Sequence, residues 1–360
     1  MDSVYNQTIL IIINIMDQTK KSCIIITTIN FPSPELLNFL QSTPDIDIII
    51  IGDIKTPNIY SKLKCTYLDI NAQNDLFTQF SKKLPLNHYS RKNIGYMYAI
   101  KNNYDVMIDS DDDTFFYNIN KTINNAKIDE QTYLIISPDI PNVLKLYSHE
   151  HIWPRGFPLN LINKNEPIVS VNYQNGHNVY LWQGLVDNDP DVDAIYRMTA
   201  PLLMHNVNFK FENTEKKYIL NKNILTAGNT QNTIWTNKNM FYLSYIPSTV
   251  SFRYCDILRS YIAQYGFWAN NGVMGIMGAT AYQNRNSHDL MNDFESEMPI
   301  YLNFYKVKSI LDSLIPYLTG TIVDLKLIYQ KLYENDIVEY AELDIINEWI
   351  ALFTTHEYYV

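Results

Sequence analysis

The chain has 360 residues, 46% of them hydrophobic and 18% charged, a composition that supports a large buried core and excludes a disordered or fibrous protein. Its net charge of −10 leaves no basic excess to neutralise phosphates, so nucleic acid is not an expected partner. Three scattered cysteines (Cys23, Cys65, Cys255) without a Cys-x-x-Cys pair exclude a disulfide framework and a thiolate zinc site, and fit a reducing compartment.

In chain order, the apolar run Ile9–Ile13 is too short to span a bilayer and has no basic segment before it. It reads as a strand or packing segment, and a cytoplasmic protein without signal peptide or transmembrane segment is expected. The β-branched run from Cys23 to Thr28 predicts a first strand, stopped by Pro32. A Ser-Pro-Glu start predicts a short helix over 33–41, with Leu36, Leu37 and Leu40 apolar. Asp47–Ile51 reads as a second buried strand ended by Gly52-Asp53, and Cys65–Leu68 as a weaker third. A helical pattern over 91–101 precedes a strand at 106–108. Strands separated by helical segments predict a mainly parallel α/β sheet with crossover helices. The middle, 135–250, is richer in Pro, Asn and Gly, with shorter strands and longer loops. A helix signal returns from Ser251, and 301–355 reads as two or three amphipathic helices interrupted at Pro316 and Gly320. Trp153, Trp182, Trp235 and Trp268 are expected mostly in the core.

The strand at 106–108 runs into Asp109, Asp111, Asp112 and Asp113. Carboxylates this close raise one another's pKa unless a cation neutralises them, and functional sites in α/β folds lie beyond the carboxyl ends of strands. A calcium loop counted from Asp109 would need Gly at Thr114 and Glu at Asn120, so it fails. An Asp-x-Asp-x-Thr phosphatase needs Thr at Asp113 or Phe115 and fails too. What remains is an Asp-x-Asp site for Mg²⁺ or Mn²⁺, using Asp111 with either Asp113 or Asp109. Arg91 and Lys92, cations at a helix start, oppose the helix dipole unless an anionic ligand such as a diphosphate lies nearby.

These residues carry a resemblance. Arg91-Lys-Asn-Ile-Gly-Tyr-Met-Tyr-Ala-Ile100 followed by Ile108-Asp-Ser-Asp-Asp112 resembles the STELLO-like glycosyltransferases, where Arg-Lys-x-x-Gly-Tyr-x-x-Ala-Ile precedes Asp-Ala-Asp-Asp. His151-Ile-Trp-Pro-Arg-Gly-Phe-Pro-Leu159, Gln183-Gly-Leu185 with Pro190-Asp-Val-Asp193, and Asp256-Ile-Leu-Arg-Ser-Tyr261 are similar to later family blocks in the same order. So is Gln283-Asn-Arg-Asn-Ser-His288 followed by Asp293 and Glu297. A more distant likeness is to reversibly glycosylated polypeptides, which include UDP-arabinopyranose mutases. There the arginine matching Arg155 carries the sugar and a second arginine follows seven residues later, where this chain has Ile162.

The resemblance implies a GT-A-type, Rossmann-like catalytic domain over residues 1–300, with a helical extension over 301–360 packed on it. It implies a metal-dependent glycosyltransferase that moves a sugar from a UDP-sugar to a hydroxyl of a glycan or glycoconjugate, with inversion. The alternatives are a nucleotide-sugar mutase and a catalytically silent nucleotide-sugar-binding scaffold. Asp111, Asp113 and His288 are the expected metal ligands for Mn²⁺ or Mg²⁺. Thr28, Asn30, Gly52, Asp53, Arg91, Lys92, Asp109 and Asp112 are expected around the nucleotide and diphosphate. Asp256, at a helix start, is the expected base, with Asp191 and Asp193 as a second acidic pair. Arg155, on a stiff Pro-Arg-Gly turn, is expected to contact the donor. A homodimer is a possible assembly, and the membrane anchor of the plant STELLO proteins is not carried over.

Overall fold

The computed structural model describes residues 20–43, 46–164, 166–174, 176–200 and 208–354. The Ile9–Ile13 run lies outside them. In chain order the elements are β1 (Ser22–Thr28), α1 (Pro34–Ser42), β2 (Asp47–Gly52), β3 (Thr66–Leu68), α2 (Ile70–Leu76), α3 (Thr78–Lys83), α4 (Lys92–Lys101), β4 (Val106–Asp111) and β5 (Thr114–Phe116). There follow α5 (Ile119–Asn125), β6 (Thr132–Ser137), β7 (Val169–Asn172), β8 (Asn178–Asp187), α6 (Ala194–Thr199), β9 (Lys217–Leu220) and β10 (Asn232–Trp235). The chain closes with α7 (Cys255–Ala269), β11 (Gly272–Gln283), α8 (Leu290–Leu314), α9 (Val323–Glu334) and α10 (Tyr340–Thr354).

One sheet runs in the order β3-β2-β1-β4-β10-β8-β11-β9-β6-β7, with β5 added on β11. The four strands at the N-terminal end are parallel, with Ile24 of β1 opposite both Ile48 and Ile108. Their all-apolar character follows from burial on both faces: Ile24, Ile25, Ile26, Ile49 and Ile50 are fully buried. The expected α/β architecture, with helices flanking the sheet and a helical C-terminal region, is present. The second half of the sheet adds antiparallel strands, and β10 lies antiparallel between β4 and β8. Because β11 is parallel to β8, the carboxyl ends of β1, β2, β4, β8 and β11 share one edge. The residues just before β10 enter at that same edge.

Local rules set several of these elements. Ser33 caps α1 by accepting from the Leu36 amide at 3.0 Å, and Pro34 occupies the first turn. The 91–101 pattern forms α4, but that helix is buried on nearly every side. On one side it presses on β1 and β2, where a Cβ at Gly95 would meet Ile25 Cγ2 at 2.4 Å, so only glycine allows this approach. On the other, the Asn93 side chain exchanges hydrogen bonds with both backbone groups of Ile246.

The C-terminal helices cover the same flank. Trp349 of α10 packs against Phe80 of α3 at 5.7 Å and Tyr245 at 5.4 Å. The 25-residue helix α8 runs straight through position 300 and packs Phe304 on Tyr261 of α7. The four tryptophans expected in the core are all buried. All three cysteines are free thiols, Cys65 half-buried and the other two buried. Among the described residues no helix is long and apolar enough to cross a membrane.

Candidate functional site

A cavity of about 440 Å³ opens at the shared carboxyl edge of the strands. One wall comes from the ends of β1 and β2, with Thr28, Asn30, Gly52 and Asp53; the floor holds Asp111, Asp112 and Asp113 with Thr230 and Gln231. The opposite wall carries Arg155, Asp191, Arg253 and Asp256, and the loop after β11 adds Gln283, Arg285, Asn286 and His288.

The acidic turn is the centre of this arrangement. Asp112 accepts from Thr28 Oγ1 at 2.5 Å and Asn30 Nδ2 at 3.0 Å, tying the β1 loop to the turn. Asp113 accepts from Gln283 Nε2 at 2.8 Å and from the Asn286 amide at 3.0 Å. Asp111 accepts from Tyr89 Oη at 2.7 Å, with Lys92 Nζ 3.9 Å away. Burial pushes the Asp111 carboxyl up to about 7; Asp113 and Asp112 add to the shift, while Lys92 and the Tyr89 hydroxyl oppose it. Burial raises Asp113 as well. Two carboxylates held in reach of solvent against their own repulsion suit a hard divalent cation that completes its shell with water and phosphate oxygens.

Several expected roles are corrected. Asp109 is fully buried beneath the cavity and pairs with Arg259 Nη1 at 2.9 Å, so the Asp-x-Asp pair open to the cavity is Asp111 with Asp113. Arg91 lines the cavity, but its guanidinium is spent on Gln73 Oε1, Ser81 and the Leu84 carbonyl, splinting α2 and α3. Lys92 is fully buried and donates to the Ser110 carbonyl at 2.7 Å, acting beneath the acidic turn. Asp193 caps α6 and accepts from Trp153 Nε1 and Tyr301 Oη, outside the cavity. His288 reaches the cavity but faces Asp293 at 3.3 Å through Nδ1. Among the described residues no three His, Cys, Asp or Glu side chains are gathered to hold one ion, so the expected Asp111–Asp113–His288 triad is not assembled. The space left by Gly52 is taken by the Tyr67 ring, since a Cβ there would meet Tyr67 Oη at 2.8 Å.

Arg155 is clamped between two acids. Its Nε and Nη2 donate to Asp191 at 2.9 and 2.8 Å, and its Nη1 and Nη2 to Asp256 at 2.9 and 2.8 Å. Nη1 also donates to the Arg253 carbonyl. Although burial opposes its charge, the two carboxylates hold Arg155 ionised, and Arg155 in turn holds Asp191 down at about 2. Asp256 and Arg259, three residues apart on α7, share a face, so one helical turn presents a carboxylate to Arg155 and a guanidinium to Asp109.

Tyr89, Thr230, Arg253 and Arg285 were not singled out by sequence reasoning. Tyr89 lies two residues before Arg91, and Arg285 lies inside the 283–288 block, which was the available signal.

This site defines an α/β protein with an acid-floored cavity at the carboxyl ends of its strands. No family model matches the chain. It is 25% identical over 283 residues to Probable glycosyltransferase STELLO1 of Arabidopsis thaliana, covering 74% of this chain and 36% of that protein. STELLO2 of the same plant, also named a probable glycosyltransferase, is 24% identical over 277 residues, covering 72% of this chain and 35% of that protein. The chain is thus similar, over about three quarters of its length, to two proteins named probable glycosyltransferases. The chain spans about a third of the length of these relatives. A crystal structure of a mycobacterial protein superposes with TM-score 0.38 and 8% identity over 79% of this chain and 74% of that one.

Proposed function

We propose that this protein transfers a sugar from a nucleotide-sugar donor, a UDP-sugar by preference, to an acceptor hydroxyl, in a GT-A-like manner. The observation that carries the reading is the acidic turn Asp111–Asp113, which floors a cavity between the β1–β2 wall and the Arg155–Asp191–Asp256 wall. A nucleoside fits the first wall, where Thr28, Asn30 and Asp53 present polar groups. Asp111 and Asp113 would hold Mg²⁺ or Mn²⁺, and the bound ion would supply Lewis-acid stabilisation to a leaving diphosphate.

On the far wall, Asp256 is the general base of this reading. It lines the cavity in the first turn of α7, where Arg155 orients it by donating to both of its oxygens. A single displacement with such a base inverts the anomeric centre. The mutase reading is weakened because all five donors of the Arg155 guanidinium are committed to two carboxylates and a carbonyl, and Ile162 stands where those proteins have a second arginine.

Calorimetric titration with UDP in Mn²⁺ and in chelator tests the proposal. Binding is expected only with metal, and is expected to disappear in Asp111→Asn. Equal UDP binding in chelator and in that variant would overturn it. Slow hydrolysis of a UDP-sugar without acceptor separates a transferase from a silent binder.

A further inference from the structure

The loop after β11 is clasped onto the acidic turn by Gln283, by the Asn284 amide, which donates to the Asp113 carbonyl at 2.9 Å, and by the Asn286 amide. Arg285 sits in the middle of this clasp and lines the cavity, so its position relative to Asp111 and Asp113 is fixed by backbone bonds. Its side chain is only 12% exposed, yet among the described residues its sole partner is Asp293, 3.3 Å from Nη2. A guanidinium carries five N–H donors, and Arg155, buried to a similar degree, fills its own with two acids and a carbonyl.

Arg285 is also crowded by like charge. Burial first, then Arg197 and Arg253, pull it down to about 10. None of its nitrogens is sealed away from solvent without a partner, so the unfilled donors open on the cavity, where an arriving anion can accept from them. Asp189, Asp191 and Asp293 are its acidic neighbours on the wall opposite the nucleoside side, and it also acts on Asp113 of the acidic turn, so Arg285 stands where that wall meets the floor. The phosphate nearest that wall is the one that bears the sugar.

Building on the nucleotide-sugar reading, we infer that Arg285 binds the second phosphate of the donor and selects nucleoside diphosphates over monophosphates. The role expected at the sequence level for Arg91 passes to a residue about two hundred positions later. The guanidinium fork matches two phosphate oxygens at once, which a lysine cannot do.

The test measures UDP and UMP binding by calorimetry in saturating Mn²⁺ for the native protein, Arg285→Met and Arg285→Lys, together with the melting temperature of each without ligand. Arg285→Met is expected to weaken UDP binding by about 10- to 100-fold, the range of a lost charge-assisted contact. UMP binding is expected to stay within about threefold, with Arg285→Lys between the two for UDP. Without ligand, Arg285→Met is expected to melt at or above the native temperature, because like-charge crowding is relieved. An unchanged UDP-to-UMP affinity ratio in both variants overturns the inference. So does a lowered melting temperature with intact UDP affinity, the signature of a merely structural pair with Asp293. If Arg285→Met fails to fold, the UDP-to-UMP ratio of Arg285→Lys decides. If the native protein binds none of UDP, GDP and ADP, the nucleotide-sugar reading falls and this inference with it.

Discussion

The two sides of the cavity handle charge in opposite ways. On the floor, Asp111, Asp112 and Asp113 face a single buried ammonium, Lys92, and are otherwise quieted by neutral hydroxyl and amide donors. On the far wall every acid has a guanidinium: Asp191 and Asp256 share Arg155, Glu297 takes Arg253 at 2.7 Å, Asp189 takes Arg197 at 2.5 Å, and Asp293 meets Arg285. The wall thus sets four guanidiniums against five carboxylates, while the floor sets one ammonium against three and carries more unbalanced negative charge. Arg285 pairs with Asp293 and also acts on Asp113, so it lies where the two regions join. A ligand with a cation on one side and phosphates on the other would complete both.

Breaking the paired wall is expected to have the largest effect. Arg155→Met leaves Asp256 buried without an ion-pair partner and Asp191 with only Arg253 Nη2 at 3.9 Å, and such losses cost roughly 3–5 kcal/mol; chemical denaturation should show that drop with or without ligand. Asp111→Asn tests the opposite character of the floor. Without metal it is expected to melt at or above the native temperature, since it removes one member of a repelling set, while the metal-dependent rise in melting temperature with UDP disappears. If Arg155→Met proved neutral and Asp111→Asn destabilising, the contrast between the regions would be wrong.

A third prediction concerns the support beneath the wall. Glu342 of α10 is fully buried and accepts from Tyr245 Oη, the Ser248 amide at 2.9 Å and the Thr249 amide at 2.8 Å. It thereby pins the segment that leads into Arg253 and Asp256. Glu342→Ala strands those donors and is expected to cost about 2 kcal/mol by denaturation, in the range for buried unsatisfied groups. It should also weaken UDP binding less than Asp111→Asn does.

The pH dependence separates the regions again. Asp191 and Asp293 are both held near 2 in the folded chain, below the ordinary carboxylate value. Their contribution to stability is therefore fully present above about pH 4 and is lost as pH falls through about 2. Asp111, raised to about 7, has the opposite sign: the ligand-free fold loses stability as pH rises from about 4 through 7, and Asp111→Asn should flatten that limb of a melting-temperature profile. The smallest effect is expected at the exposed Lys331–Glu334 pair, where Lys331→Ala should leave melting and binding unchanged.

Much of the first sheet half was legible because its signals are local. The isoleucine runs of β1 and β2, the Ser33 cap of α1 and the carboxylates after β4 each follow from short-range pattern and appear where expected. The site was legible in its parts rather than in its pairings. The Arg155 block, the Asp191 block and the Asp256 helix could be singled out one by one. That Arg155 bridges Asp191 and Asp256, 36 and 101 positions away, could not be read without the fold. Nor could the pattern show that Arg91 is filled by Gln73, Ser81 and Leu84, or that Asp193 holds Trp153 and Tyr301, because a cation at a helix start and an acid in a turn look alike whether they serve chemistry or structure.

The amino-acid order by itself determined that a buried strand ends in a crowd of carboxylates, that a helix beginning Arg-Lys comes just before that strand, and that ordered blocks resemble those of STELLO-like proteins. Only the tertiary structure decided the register of the acidic run. Arg259, arriving from α7, neutralises Asp109 from below and leaves Asp111 and Asp113 to the cavity. Pattern along the chain fixes which groups are present, but charge is balanced in three dimensions. Which carboxylates remain open to a ligand depends on which cations the fold delivers to the others.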